Sequence, residues 1–187
     1  RRSGLAAGET AVILGGGPIG TLIAAVARHL GARVLVSEPD AGRRADAEAW
    51  GLATIDPTAG DLVARVDALT AGAGADVVFE VSGAAPAVLD ATAVAKVRGT
   101  VVIVAIHPRP VPIDLQRVFW RELSVLGARV YEAEDFARAV ELLADGSVPA
   151  ARLISRVVPL ADVAAGFAAL ESGQAMKVLV QVEGVSA

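Results

Sequence analysis

The run Ala11-Val12-Ile13-Leu14 leads directly into Gly15-Gly16-Gly17-Pro18-Ile19-Gly20, and an alanine-rich segment then continues to Gly31. Few folds accommodate this order. Four apolar residues before a glycine cluster have the length of a buried strand. Beyond the cluster, Ile19, Leu22, Ile23, Val26 and Leu30 recur at three- and four-residue steps, the spacing of one helix face, and Gly31 supplies a stop. A second apolar run, Arg33-Val34-Leu35-Val36-Ser37, ends at the acid Glu38. Strand, glycine turn, helix, strand and acid together predict a βαβ unit whose first turn can hold an anion.

Two other uses of the same stretch fail. From Thr10 to Ala27 nothing ionises, which just reaches the length of a membrane-spanning helix, and the mean hydropathy of the chain is +0.55. Three glycines and a proline in the middle would weaken such a helix by roughly 1 kcal/mol per Gly and about 3 for Pro. In lipid their freed backbone groups would also need partners. Arg1-Arg2 resembles a twin-arginine start, and Ala25-Val26-Ala27 a small-residue cleavage site. The same glycines interrupt the apolar region, and Glu9 stands between the arginines and the apolar run. The chain starts at Arg1 and its single Met is Met176, so a cut inside a longer polypeptide is expected.

Each residue of the turn has a physical reason in a dinucleotide site. Gly15 permits the tight exit from the strand, Gly17 lets bare backbone approach a pyrophosphate, and Gly20 lets the helix pack against the sheet. The helix N-terminus presents unpaired N–H groups and partial positive charge. Pro18 fits the first helical turn, where a missing N–H is harmless. Glu38 can accept hydrogen bonds from ribose hydroxyls. The plainer alternative is a glycine turn in a nucleotide-free α/β protein, with Glu38 a solvated loop acid.

The remaining sequence keeps the alternation. Helices are predicted over Asp40–Trp50, Asp61–Thr70 and Pro86–Ala95. Strands are predicted over Ala53–Asp56, Val77–Glu80, Thr100–Ile106 and Glu122–Leu126, with "AGAGAD" a turn and Pro108, Pro110 and Pro112 in a loop. The expected fold is α/β, a doubly wound parallel sheet (Rossmann fold) over residues 1–150. A short C-terminal α/β extension, 151–187, follows: a helix over Glu134–Ala144 leads into a strand at Leu153–Val158, a helix marked by Leu160, Val163, Phe167 and Leu170, and a strand at Lys177–Val182. Length allows one domain and a small appendage among 187 residues. A net charge of −4 with no basic stripe excludes nucleic acid as a partner. Absence of cysteine excludes disulfides and thiolate chemistry within the chain. Without a credible signal or span, a cytoplasmic location away from membranes is expected.

In order along the chain, "RRSGLAAGETAVILGGGPIG", "VSEPDAGRRADAEAWGL", "DVVFEVSG", "RGTVVIVAI", "VFWRELSVLGARVYEAEDFARAVELLADG" and the terminal "KVLVQV" resemble the coenzyme domain of the zinc-dependent medium-chain alcohol dehydrogenases. The likeness is to the sorbitol, butanediol and threonine dehydrogenase branch and covers nearly the whole chain. It implies NAD as cofactor and hydride transfer between a secondary alcohol or polyol and nicotinamide. It also implies that the catalytic domain, with zinc and its ligands, is absent from this chain, and that residues 151–187 pack on that domain. Of the two histidines, His29 falls in the first helix, and His107 follows a strand where it could border the nicotinamide pocket. Neither has ligand-type neighbours in sequence, so neither is assigned to a metal. The resemblance further implies a homo-oligomer through the sheet edge, for which Val111–Asp114 and Glu122–Val125 are candidate segments.

Ligands of parallel sheets bind beyond the strands' C-terminal ends. Gly15, Gly17, Pro18, Ile19 and Gly20 are therefore assigned to pyrophosphate and Glu38 to the adenosine ribose. Val81 and Ser82 follow the fourth strand, and Ala105 and Ile106 the fifth, towards nicotinamide. By resemblance Arg43 lies beside the ribose, and Leu126 matches a segment whose backbone meets the carboxamide. Core packing is the plain alternative for Val81, Ala105, Ile106 and Leu126. Glu38 favours NAD over NADP: at ~4 Å a like-charge pair costs roughly 4 kcal/mol at intermediate dielectric. Arg43 and Arg44 pull the other way, since arginines receive the extra phosphate. Other readings are a non-catalytic NAD sensor, an S-adenosylmethionine-binding methyltransferase or a zinc-free quinone reductase. A short-chain dehydrogenase fits poorly, because Tyr131 is followed four residues on by Asp135 and not lysine.

Overall fold

In the computed structural model, which describes residues 1–182, β1 (Thr10–Leu14) lies between β2 (Arg33–Ser37) and β4 (Ala75–Glu80). With β3 (Ala53–Ile55), β5 (Ala95–Ile103) and β6 (Ser124–Gly127) they form one sheet in the order β3-β2-β1-β4-β5-β6, every neighbouring pair parallel. Chain order reverses between β1 and β4, which is where a doubly wound sheet opens a crevice at its C-terminal edge. The expected fold class is the one observed.

Period-two alternation distributes the strand residues between two cores. Ala11, Ile13 and Val36 pack with Ala24 and Ala27 of α1 (Pro18–His29) and Ala47 of α2 (Ala41–Ala49). Val12, Leu14, Leu35, Val78 and Val101 pack with Leu62 and Val66 of α3 (Leu62–Thr70) and Ala91 and Val94 of α4 (Ala85–Val94). Both faces being covered, β1 is buried along its whole length.

The sheet-facing side of α1 differs from the expected one. Its buried residues are Gly20, Thr21, Ala24, Ala25 and Ala27, while Ile19 is 57% exposed. Small side chains let the helix axis approach the sheet more closely than a leucine stripe would. The large residues Leu22, Ile23, Val26 and Leu30 instead wall a cavity of about 410 Å³ with Phe79 and Val102.

Several boundaries also move. Asp40 and Asp61 lie outside α2 and α3 as their N-caps, accepting from Arg43 N and Ala64 N. Ala75 and Asp76 belong to β4 and not to the turn before it; the Asp76 carboxylate takes Thr10 N at 2.8 Å and pairs with Lys96. β5 starts at Ala95 and stops at Ile103, because Val104 N and Ala105 N both turn to the Glu80 carbonyl. Val111–Asp114 is not a strand: Asp114 caps a short helix, α5 (Leu115–Trp120), which the preceding prolines hid. β6 is one of the two edge strands of the sheet, paired with β5 alone, as β3 is with β2. α6 (Ala133–Ala144) opens on a reciprocal Glu132–Asp135 capping box.

The chain divides into two compact units, Arg1–Ser147 and a second beginning at Val148. In the second, β7 (Ile154–Pro159) and β8 (Lys177–Gln181) pair in parallel, and α7 (Val163–Glu171) lies against them. Gly166 makes that approach possible, since a Cβ there would stand 3.1 Å from the Val178 side chain. Ser155 Oγ accepts from Met176 N at 2.8 Å. Among the described residues no helix is long and apolar enough to cross a membrane.

Candidate dinucleotide site

The glycine turn is shaped by its neighbours. Gly15 leaves β1 with φ +114° and donates its N–H to the Ser37 carbonyl at 2.8 Å. A Cβ on it would stand 3.0 Å from Ser82 N, and one on Gly20 only 1.9 Å from the Gly15 carbonyl oxygen. Gly17 differs: a Cβ there would meet nothing within 4 Å. Gly17 is the N-cap of α1 with no side-chain cap, and Pro18 occupies the first helical position. Pro18 has no N–H to satisfy, and the other first amides of a helix have no intrahelical partner.

Glu38 stands under the turn. It is 4% exposed, and its two carboxylate oxygens accept from Gly16 N at 2.7 Å and Asp40 N at 2.9 Å. A carboxylate has about four acceptor sites, so capacity for a sugar hydroxyl remains. Gly16 was not among the sequence-assigned residues. Its reason is Glu38, whose Cγ would lie 3.0 Å from a Cβ at that position. The third consecutive glycine was the only hint of this in the sequence.

A cavity of about 470 Å³ opens over these groups, lined by residues following β1, β2, β3 and β4 and by the start of α4. It collects Gly15, Gly17, Glu38, Arg43, Val81 and Ser82 from the sequence assignment, and adds Thr58, Pro86 and Asp90. Burial pushes the Asp90 carboxyl up, with the Arg117 guanidinium acting in the opposite direction. The two arginines of α2 part company here. Arg44 turns back onto the Glu38 and Pro39 carbonyls and pairs with Asp56 at 3.2 Å. The hydroxyl and N–H of Thr58, and then Arg44, hold the Asp56 carboxyl below its ordinary range. Arg43 lines the cavity, and among the described residues no ion pair or hydrogen bond engages its guanidinium.

The other assigned residues do not line this cavity. Pro18, Ile19 and Gly20 form the first turn of α1, with Gly20 packed inward. Ala105 and Ile106 follow β5, with Ile106 85% exposed, and Leu126 is half-buried in β6, opposite Val102. Near them lies a pair that residue patterns did not suggest: His107 Nε2 is 3.0 Å from Oε2 of Glu80, a fully buried carboxylate at the end of β4. Among the described residues no three His, Cys, Asp or Glu side chains are grouped to hold a metal.

Comparison with known proteins bears on this geometry. Residues 18–145 match the family model described as zinc-binding dehydrogenase. The 2-dehydro-3-deoxy-L-galactonate 5-dehydrogenase of Pseudoalteromonas atlantica is 54% identical over 182 residues, which are 97% of this chain and 53% of that protein. The crystal structure of 2R,3R-butanediol dehydrogenase from Bacillus subtilis superposes with a TM-score of 0.89 at 31% identity, over 96% of this chain and 52% of that one. A Sinorhizobium meliloti protein described as a zinc-binding dehydrogenase and bound to NADP gives 0.79 at 38% identity, over 97% and 53%. The chain spans about half the length of the relatives it matches. The family match begins at Pro18, so β1 and the first three glycines are read from their own geometry. On sequence, sheet order and crevice together, the chain belongs to the zinc-binding dehydrogenase family.

Proposed function

We propose that this chain binds NAD as the coenzyme-binding part of an alcohol or polyol dehydrogenase. The observation that carries the reading is the open space at Gly17, the N-cap of α1 without a side-chain cap, in a turn braced by a buried carboxylate. Gly15, Gly17, Pro18, Ile19 and Gly20 would hold the pyrophosphate by backbone alone, Glu38 the adenosine ribose, and Val81 and Ser82 the wall beside it. Ala105, Ile106 and Leu126 would border the nicotinamide half. When bound, the dinucleotide supplies hydride chemistry, and this chain orients it and shapes its surroundings.

Glu38 supports NAD over NADP, because a second anion beside a buried carboxylate is repelled. Arg43, unpaired at the cavity, and the NADP-bound neighbour set a limit on that preference. The substrate we propose is a secondary alcohol on a sugar-like polyol or sugar acid, in keeping with the 54% identical relative. Zinc and its ligands would belong to the part of the parent enzyme outside these residues. Unit two, with Val157, Leu160 and Phe167 exposed, would pack on that part. β6, an edge strand with Val125 exposed, would pair with a second copy.

Calorimetric titration of the chain with NAD, NADP and S-adenosylmethionine tests the proposal. Tightest binding of NAD supports it; binding of S-adenosylmethionine alone would make the site a methyltransferase's. Alcohol oxidation by the 187-residue chain itself would overturn the placing of the catalytic residues elsewhere.

A further inference from the structure

We infer that His107 is a positioning residue for the dinucleotide crevice, acting through Glu80; the inference rests on the dinucleotide reading of that crevice. Glu80 is the last residue of β4 and is fully buried. Its Oε1 accepts from Ser82 N at 3.0 Å, Ser82 Oγ at 2.7 Å and Gly83 N at 2.9 Å, so the turn after β4 is wrapped around one carboxylate oxygen. Its carbonyl oxygen takes Val104 N at 2.9 Å and Ala105 N at 3.1 Å, which fixes the end of β5. The second carboxylate oxygen, Oε2, has His107 Nε2 as its partner at 3.0 Å. One buried residue thus joins the two loops, and His107 closes the join from the far side.

Those loops meet the glycine turn. Ser82 N stands 3.0 Å from the space a Gly15 side chain would fill, and Val81 and Ser82 line the cavity. A buried carboxylate oxygen that loses its donor is costly to keep in place. Without the His107 N–H, Glu80 is expected to rotate towards water and carry the Ser82 turn with it, spoiling the wall against which the dinucleotide lies. The bond also fixes the ring. To donate, a proton must be on Nε2; in the neutral ring Nδ1 is then a bare acceptor. Nδ1 is buried and has no partner among the described residues, so the Glu80 bond alone sets the orientation of the imidazole.

The test compares His107→Leu and His107→Gln in the 187-residue chain by NAD titration, with melting temperature as control for folding. His107→Leu is expected to weaken NAD binding about 10-fold, and His107→Gln, whose amide N–H can reach Glu80, to restore it to within about 3-fold. Equal affinity of His107→Leu and wild type overturns the inference. So does equal weakness of the two variants, which would make ring bulk the cause. Nitrogen-15 NMR of the wild-type imidazole reads the bond without any variant: a proton on Nε2 is expected, and a ring protonated on Nδ1 alone overturns it. Failure of the wild type to bind NAD sinks the dinucleotide reading instead, whatever the tautomer proves to be.

Discussion

The amide of Gly16 donates to the carboxylate of Glu38 at 2.7 Å, so the acid ending the second strand is a structural part of the turn ending the first. Glu38 therefore has two duties, bracing the loop and facing the cavity. Glu38→Ala strands the buried N–H of Gly16, worth about 1–3 kcal/mol when unsatisfied, and removes the partner of the Asp40 N–H, which lies at an exposed residue. We expect a stability loss of about 1–3 kcal/mol in urea titration, together with a weakened preference for NAD over NADP.

Gly17 and Gly20 separate ligand approach from packing. A methyl group at Gly20 has no room beside the Gly15 carbonyl, and overpacking of this kind costs about 2–3 kcal/mol. A methyl group at Gly17 meets nothing in the protein. Gly17→Ala should keep the chain folded, within about 1 kcal/mol of wild type for the altered cap. It should weaken NAD binding at least about 10-fold, or about 1.4 kcal/mol. Chemical denaturation and calorimetry on the same two variants read both effects; a Gly17→Ala chain with wild-type affinity would move the diphosphate off this turn.

Arg43 offers a test of cofactor choice, because Arg44 is already held by the Glu38 and Pro39 carbonyls and Asp56. Arg43→Ala should weaken NADP binding about 10-fold and change NAD binding by less than about 3-fold, since a lost charge pair of about 1.4 kcal/mol corresponds to the larger factor. Equal losses for both dinucleotides would assign Arg43 to a part they share.

At the opposite end of β4, burial alone would raise the Asp76 carboxyl, but the Lys96 ammonium and the Thr10 N–H outweigh it and hold it below its ordinary value. A depressed acid stabilises the fold above its unfolded-state value, near 4, and loses that contribution as pH falls through the folded-state value. Asp76→Asn should cost about 1–2 kcal/mol at pH 7, and the difference from wild type should shrink by pH 3. Urea titrations at the two pH values check this.

What the sequence made legible was local. The strand, glycine turn, helix and Glu38 lie within one βαβ unit, where spacing alone carries the information. Gly20 marks the inward face of α1 in the sequence, but hydropathy weights large side chains and passes over Ala24 and Ala27, which close approach to the sheet also selects. α5 escaped notice because six residues are too few to show a period. The Glu80–His107 pair joins the ends of neighbouring strands, and no pattern along the chain marks such a contact. Arg43 and Arg44 are adjacent and alike in sequence; only the Pro39 turn and Asp56 tell them apart.

The central claim is that diphosphate lies on bare main chain at Gly17 while Glu38 meets the ribose. A crystal structure of this chain grown with NAD tests it most directly. Phosphate oxygens within hydrogen-bonding distance of the first amides of α1, and a ribose hydroxyl on Glu38, are the expected result. An ordered dinucleotide bound elsewhere, with the crevice between β1 and β4 empty, would contradict it.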